Sequence, residues 1–384
     1  MRALIIAILG ISILLPAQES GLQPVTANAL EQLLASQKHV SDSDTARQLS
    51  TMELIERVSI RRLTEFQSKC QGKECRNAVM VLADQSAFLD SSDSESESPS
   101  SDAPSEADQK EIVAKFLNFA GQMSHQMPNF VATRTTTRFE DWPKGLQIGQ
   151  KVAGRNMPLQ FSGLSLAAIT YRNGSEEVAH EVADKHSRKA PNQGLTTWGL
   201  FGPMLTTVML DASHSTFVWS RWEQNGASRT AVFRFAVPMS KSTYEVRFCC
   251  VPMGAGLLVP LDRQPAYHGE IAVHPEDGTI AWITLIADMD QSDMTALPLM
   301  PVTLGESPLS VANLSVEYGA VEIGGRQYTC PVHAVALSKA QTVISNKTDG
   351  PRLGPARTYL NDVTFTGYHV FRSESRILTD WKEQ

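Results

Sequence analysis

The chain is short of the residue patterns on which most enzymes are built. Its five cysteines include no Cys-x-x-Cys pair, so neither a thioredoxin-like redox centre nor a paired-cysteine zinc clip is available. His180 and His186 stand six apart, which does not place two imidazoles on one helical face as an i, i+4 pair would. Ser162-Gly163-Leu164-Ser165 lacks the Gly-x-Ser-x-Gly frame of a nucleophile elbow. Gly254-Ala255-Gly256 runs into Leu257-Leu258-Val259-Pro260 instead of a helix, which excludes a dinucleotide loop. No paired carboxylates stand apart from the surface acids. The sequence therefore nominates no catalytic residue, no metal site and no cofactor, and a hydrolase is the least favoured class.

Positive charge is also scarce. Thirty-four Lys and Arg face 41 Asp and Glu, a net charge of −7, which argues against a general nucleic-acid binder. Six acids fall in residues 91–108, SSDSESESPSSDAPSEAD, with no Lys or Arg among them, so the remainder is nearly balanced. Long apolar runs are missing after the start of the chain, and no later stretch approaches the roughly 20 residues of a membrane-crossing helix.

The start is different. Residues 1–17, MRALIIAILGISILLPA, join Arg2 to an apolar run ending at Leu15, then Pro16 and Ala17. That is the layout of a secretory signal peptide, and with no cysteine near Ala17 a lipid anchor is not expected. The expectation is a periplasmic or secreted protein without a transmembrane span in its mature form.

Residues 18–90 have helical spacing. Ala27–Gln37, Asp44–Leu49, Thr51–Val58 and Ser59–Lys69 fit helices, Ser50 and Glu53 form a capping-box pattern, and a further apolar stripe runs from Ala78 to Ala87. Residues 91–108 cannot bury enough apolar surface to offset the entropy of ordering them, so they read as a disordered linker. Residues 109–373 open with an amphipathic helix over Asp108–His125 and continue as strands. Asn225-Gly226, Pro275-Glu276-Asp277-Gly278 and Gly324-Gly325 are three hairpin signals. A short helix is expected near Thr206–Leu210 after Pro203, and a bulge at Gly367, where the alternation of the last strand changes parity. Residues 374–384 are a polar tail. The fold class is α+β: a small helical module and a large curved antiparallel sheet, a half-open barrel, packed on one or two helices.

Phe217, Trp219, Phe233, Phe235, Phe248 and Trp282 lie on the hairpins. They read either as packed core or as the lining of an apolar pocket, and strand parity cannot separate the two. Cys70 and Cys75 flank a turn-like insert, which favours a disulfide between them in an oxidising compartment. Cys250 and Cys330 both fall on apolar sides of their strands and are candidates for a second bridge, with three buried free thiols as the alternative.

Across ARQLSTMELIERVSIRRL, LADQSAFLD, MPNF, TTWGLFGPML, TAVFRFAVP, AYHGEIAVHPEDGTI and VEYGAVEIGGRQYTCPV, the chain resembles a family of proteins secreted by Acidobacteria, a resemblance that brings no reaction with it. The domain after the linker also resembles, in the rhythm of its strands and turns, the half-open barrel of periplasmic lipoprotein carriers of the LolA and LolB type and of RseB-type regulators. This second resemblance implies a non-enzymatic carrier for a lipid or a lipoprotein acyl chain. The alternative is a structural or interaction module with a solid core, taking a protein partner through residues 18–90.

Overall fold

The computed structural model describes residues 22–37, 39–91, 103–141, 158–179, 182–183, 194–197, 199–212, 217–225, 228–253, 257–292, 307–346 and 350–370. The stretch read as a signal peptide, most of the acidic run, the polar tail, Gly226 of the Asn225-Gly226 signal, Gly254–Gly256 and His180 with His186 lie outside the described residues.

The first part contains β1 (Gln23–Val25), α1 (Ala27–Ser36), α2 (Asp42–Leu49), β2 (Met52–Leu54), α3 (Ile60–Lys69) and α4 (Lys73–Ser86). Thr26, Ser41 and Ser59 cap α1, α2 and α3 by accepting hydrogen bonds from the N–H groups of Ala29, Asp44 and Arg62, satisfying donors that the first helical turn leaves free. Leu30, Leu34, Leu49, Phe66, Val79 and Leu82 form a core around the Cys70–Cys75 disulfide.

The helix expected over Thr51–Val58 is not there. Met52–Leu54 is a strand running parallel to Gln23–Val25, because pairing with a segment some 30 residues earlier outweighs local helical spacing. Ser50 closes the C-terminus of α2 instead of capping a new helix. Carboxylates cap elsewhere: Glu56 accepts from the N–H of Ala27 at the start of α1, and Asp42 accepts from the N–H groups of Glu74 and Cys75 at the start of α4.

The acidic run also ends sooner than its composition implies. α5 (Glu106–Gln126) begins inside it, with Ser105 as its cap and Glu106 and Asp108 in its first turn, where negative charge favours the helix dipole. There follow β3 (Phe130–Glu140), β4 (Gln160–Arg172), β5 (Ser175–Val178), β6 (Val182–Ala183), β7 (Gly194–Leu195), α6 (Pro203–Ala212), β8 (Val218–Asn225), β9 (Ser228–Val237), β10 (Val246–Pro252), β11 (Leu258–Arg263), β12 (Pro265–Val273), β13 (Ile280–Ser292), β14 (Leu309–Ile323), β15 (Arg326–Asn346) and β16 (Gly350–Val370).

The large sheet runs β5-β4-β3-β16-β15-β14-β13-β12-β9-β8, with β6 also beside β4. Its pairings are antiparallel, and among the described residues it does not close. The protein is thus an α+β fold built on an open antiparallel sheet. Gly324 and Gly325 take φ of 62° and 82°, the two positive values that a tight β14–β15 turn needs. Gly367 is at φ 65° where the register against β3 shifts, the bulge that the parity change implied. The Pro275–Gly278 turn rests on α5: a Cβ on Gly278 would come within 2.4 Å of backbone atoms of Lys115 and Phe116.

One face of the sheet is filled. Ile112, Phe116 and Met123 of α5, Leu205 and Val208 of α6, Phe201, and Phe248, Val251 and Leu261 of a small β11-β10-β7 sheet pack against it as one apolar core. The opposite face carries the first part of the chain. Val81 of α4 is buried with Phe139, Val335 and Leu360, so residues 22–91 are fastened to the outer side of the sheet.

Candidate functional site: the seam between α4 and the sheet

Phe233, Phe235 and Phe248 are buried in the inner core, with Phe217 and Trp219 packed against it. Trp219 meets Phe233 edge-to-face at 5.6 Å, Phe217 meets Phe235 at 6.0 Å, and Phe248 meets Tyr359 at 5.7 Å. Aromatic rings in such contacts fill space. The inner side holds a smaller cavity of about 290 Å³ beside α6, lined by Met204, Tyr244 and Leu314 but by none of the six aromatics. Trp282 is on the other face, beneath Arg57.

The cysteines settle differently from one expectation. Cys70 and Cys75 are bonded, 5.6 Å between Cα atoms. The Cys250–Cys330 bridge is not formed: Cys250 is bonded to its neighbour Cys249, across a cis peptide, and Cys330 is a buried free thiol. The reason is topological. β10 pairs with β11 and β7 in the small sheet, and the chain meets β15 at an isolated bridge just past β10, Met253 to Val343, far along β15 from Cys330, so parity within each strand does not bring Cys250 to Cys330. Burial pushes the Cys330 thiol up to about 12, which removes it as a nucleophile.

A cavity of about 640 Å³ lies at the seam, between Ala87–Asp90 beyond α4 and β8, β9, β12 and β13. Phe88, Leu89, Val218, Phe235, Ala236 and Ile286 give it apolar walls, and Val218 remains 56% exposed. Phe235 alone of the six aromatics reaches this wall.

Its polar groups are unequal. Glu270 accepts two hydrogen bonds from Arg221, at 2.8 and 2.9 Å, and one from Arg234 at 2.9 Å. Arg234 also reaches Asp90 at 2.9 Å. Burial pushes the Glu270 carboxyl upward, but Arg221 and Arg234 outweigh it and hold it below its ordinary range. Arg57 is different. Its N–H bonds the carbonyl of Asp90, and its guanidinium lies 3.7 Å over the ring of Trp282, a cation–π contact. The residue is only 7% exposed, yet its Nη1 has no hydrogen-bond partner.

A second polar group lies along the same seam. Glu317 of β14, His333 of β15 and Asp362 of β16 come from neighbouring strands, and Asp84 approaches from α4. His333 Nε2 is 2.8 Å from Asp362 Oδ1 and 3.9 Å from Asp84 Oδ1, while Nδ1 is 3.3 Å from Glu317 Oε2. Burial alone would depress His333, but the surrounding carboxylates raise it well above its ordinary value. Asp84 is raised well above the carboxylate range by burial and by the charges of Asp362 and Glu317. Burial raises Glu317 as well, but His333 and Arg57 more than offset it.

Of these, the sequence draws attention to His333 alone, as the base near Cys330, and strand parity turns the two to opposite sides; Arg57, Asp84 and Asp362 are not singled out, because they stand far apart along the chain. The one local signal is Asp84 itself, an acid beside Val81, Leu82 and Ala83 on a helix whose neighbours are apolar.

No family model and no curated protein matches the sequence. Among solved structures, the chain is similar to a LolA superfamily protein from Nitrosomonas europaea, at 7% identity over 69% of this chain and 94% of that one, with a TM-score of 0.24. It is also similar to MucB in complex with MucA(peri), at 10% identity over 66% and 93%, with a TM-score of 0.17.

Proposed function

We propose that this is an exported, non-enzymatic binding protein for an amphipathic anion, an acyl chain ending in an acidic headgroup, held in the cavity at the seam and not against the filled inner face of the sheet. The observation that carries this reading is Arg57: a buried guanidinium at the wall of a 640 Å³ cavity with Nη1 unpartnered. Buried charges are ordinarily paired, and the acids in the same cavity, Glu270 and Asp90, are already engaged by Arg221 and Arg234. The volume falls in the range of about 300–1,000 Å³ common for small-molecule sites, and the lining combines apolar walls with few polar groups. The signal-like N-terminus and two disulfides fit an oxidising compartment outside the cytoplasm.

The test uses a fluorescent long-chain fatty acid and its methyl ester. The acid is expected to bind one per chain, with Arg57→Met weakening it about 10- to 100-fold, the loss that follows removal of a charge-assisted hydrogen bond of about 1.5–3 kcal/mol; the ester should bind the parent protein as weakly as the acid binds the variant. Met preserves apolar contact with Trp282, and an unchanged Tm would show the variant to be folded. Equal binding of acid and ester would overturn the reading.

A protein partner on residues 18–90 is the competing reading, favoured by Ile55 and Ile60, which stand 55% and 45% exposed. The double variant I55S/I60S separates the two, since it should leave fatty-acid binding intact and abolish only photo-crosslinking to a partner from these positions.

A further inference from the structure

We propose that Asp84, His333 and Asp362 form a binding site for a divalent transition-metal ion of the zinc type, one that joins α4 to β15 and β16. One ligand atom from each residue lies within 4.8 Å of the other two. A tetrahedral ion with bonds of about 2.0–2.2 Å keeps its ligand atoms about 3.3 Å apart, so the group needs only small side-chain adjustments to close on it. Two carboxylate oxygens and one imidazole nitrogen are a donor set that zinc accepts, with a fourth position left for water.

A cluster of acids is not by itself a site, and two further features point to a cation. Asp84 is 2% exposed, and its Oδ2 has no hydrogen-bond partner. A buried carboxylate oxygen that no protein donor reaches is costly unless something else meets it. The second feature is the far side of the imidazole. Nδ1 lies 3.3 Å from Glu317 Oε2, so in the neutral tautomer Nδ1–H donates to Glu317 and leaves the Nε2 lone pair facing the two aspartates. This carboxylate behind a histidine is the arrangement that orients imidazole ligands in metal sites. The His333 and Glu317 side chains are 21% and 20% exposed, which provides a way in.

The charge balance agrees. Three carboxyl groups surround one imidazole in a largely buried place, so the acids outnumber the base even when His333 is protonated and Asp84 neutral. Arg57 acts on Glu317 but is stacked on Trp282. A divalent ion would remove the excess and pin the helical part of the chain to the sheet. This site is independent of the fatty-acid reading: it uses no residue lining the cavity.

The test uses the full exported chain, stripped with EDTA, desalted and titrated with ZnCl2. One equivalent of zinc should remain after a second desalting, by elemental analysis, and Tm should rise by about 3 °C at a hundredfold excess of free ion over Kd. Co2+ in its place should give the visible absorption of a low-coordinate ion with nitrogen and oxygen ligands. Asp84→Asn, His333→Gln and Asp362→Asn should each lose the retained ion and the shift. Asp84→Asn is the folding control, since an amide of the same shape replaces a buried carboxyl whose Oδ2 no protein donor meets; its Tm in EDTA should equal or exceed that of the parent. Absence of retained zinc in the parent, or retention by Asp84→Asn equal to the parent, would overturn the proposal.

Discussion

Glu176, on the edge strand β5, has its carboxyl pushed up to about 7. Burial is the main cause, opposed by the charge of Arg134 and by N–H groups of Gly199, Leu200 and Phe201 in the loop before α6. A carboxyl raised in the folded state binds its proton more tightly than in the unfolded chain, so its contribution is most favourable below the ordinary carboxylate value and is lost as pH rises from about 4.5 through about 7. The parent should therefore lose about 1–3 kcal/mol relative to Glu176→Gln between pH 5 and pH 8, measured by urea unfolding at both values. A parallel pH response in parent and variant would show that Glu176 does not control this loop. Sequence offered no access to this residue: nothing in Ser175-Glu176-Glu177 separates the two glutamates, and only the loop folding over it leaves Glu176 half-buried while Glu177 is exposed.

At the scale of elements, the α3–α4 turn is the best-read feature. Cys70 and Cys75 are close in sequence, and the four residues between them close into a loop whichever way the rest folds. In the chain-entropy view, a bridge over so short a loop contributes about 2 kcal/mol. The double variant C70S/C75S should lower stability by that amount in chemical denaturation, with the loss confined to the part around Phe66 and Val79 when followed by amide hydrogen exchange; a uniform loss of protection across the sheet would contradict it. Hairpins were legible for the same local reason, since Gly324-Gly325 fixes its turn without outside help. The expected helix over Thr51–Val58 and the expected Cys250–Cys330 bridge failed for the opposite reason. Each was decided by a strand partner, Gln23–Val25 in one case and β11 and β7 in the other, which no local pattern specifies.

At the scale of the whole molecule, residues 22–91 and the sheet are joined by more than the chain. Val81 is buried against Phe139 and Leu360, Arg234 reaches Asp90, Arg221 reaches Ser91, and Arg57 covers Trp282. If a protease site is placed between residues 92 and 102 and cut, the two fragments should co-elute in size exclusion at low salt; elution as two separate species would show the seam to be weak. The same contacts imply that deleting the first part exposes Val335, Leu360 and Trp282 on the sheet, so a truncated sheet domain should aggregate more readily than the full chain.

The amino-acid sequence alone determined the α+β class, the hairpins, the Gly367 bulge and the first disulfide, because each rests on neighbours in the chain or on simple periodicity. Tertiary structure decided the rest. Alternation places Phe233 and Trp282 on apolar faces, but only the packing of α5, α6 and the small sheet on one side, and of α4 on the other, determines which face is filled and where a cavity remains. Arg57, Asp84, His333 and Asp362 become neighbours through strand order and helix docking, and proximity of that kind has no one-dimensional signature.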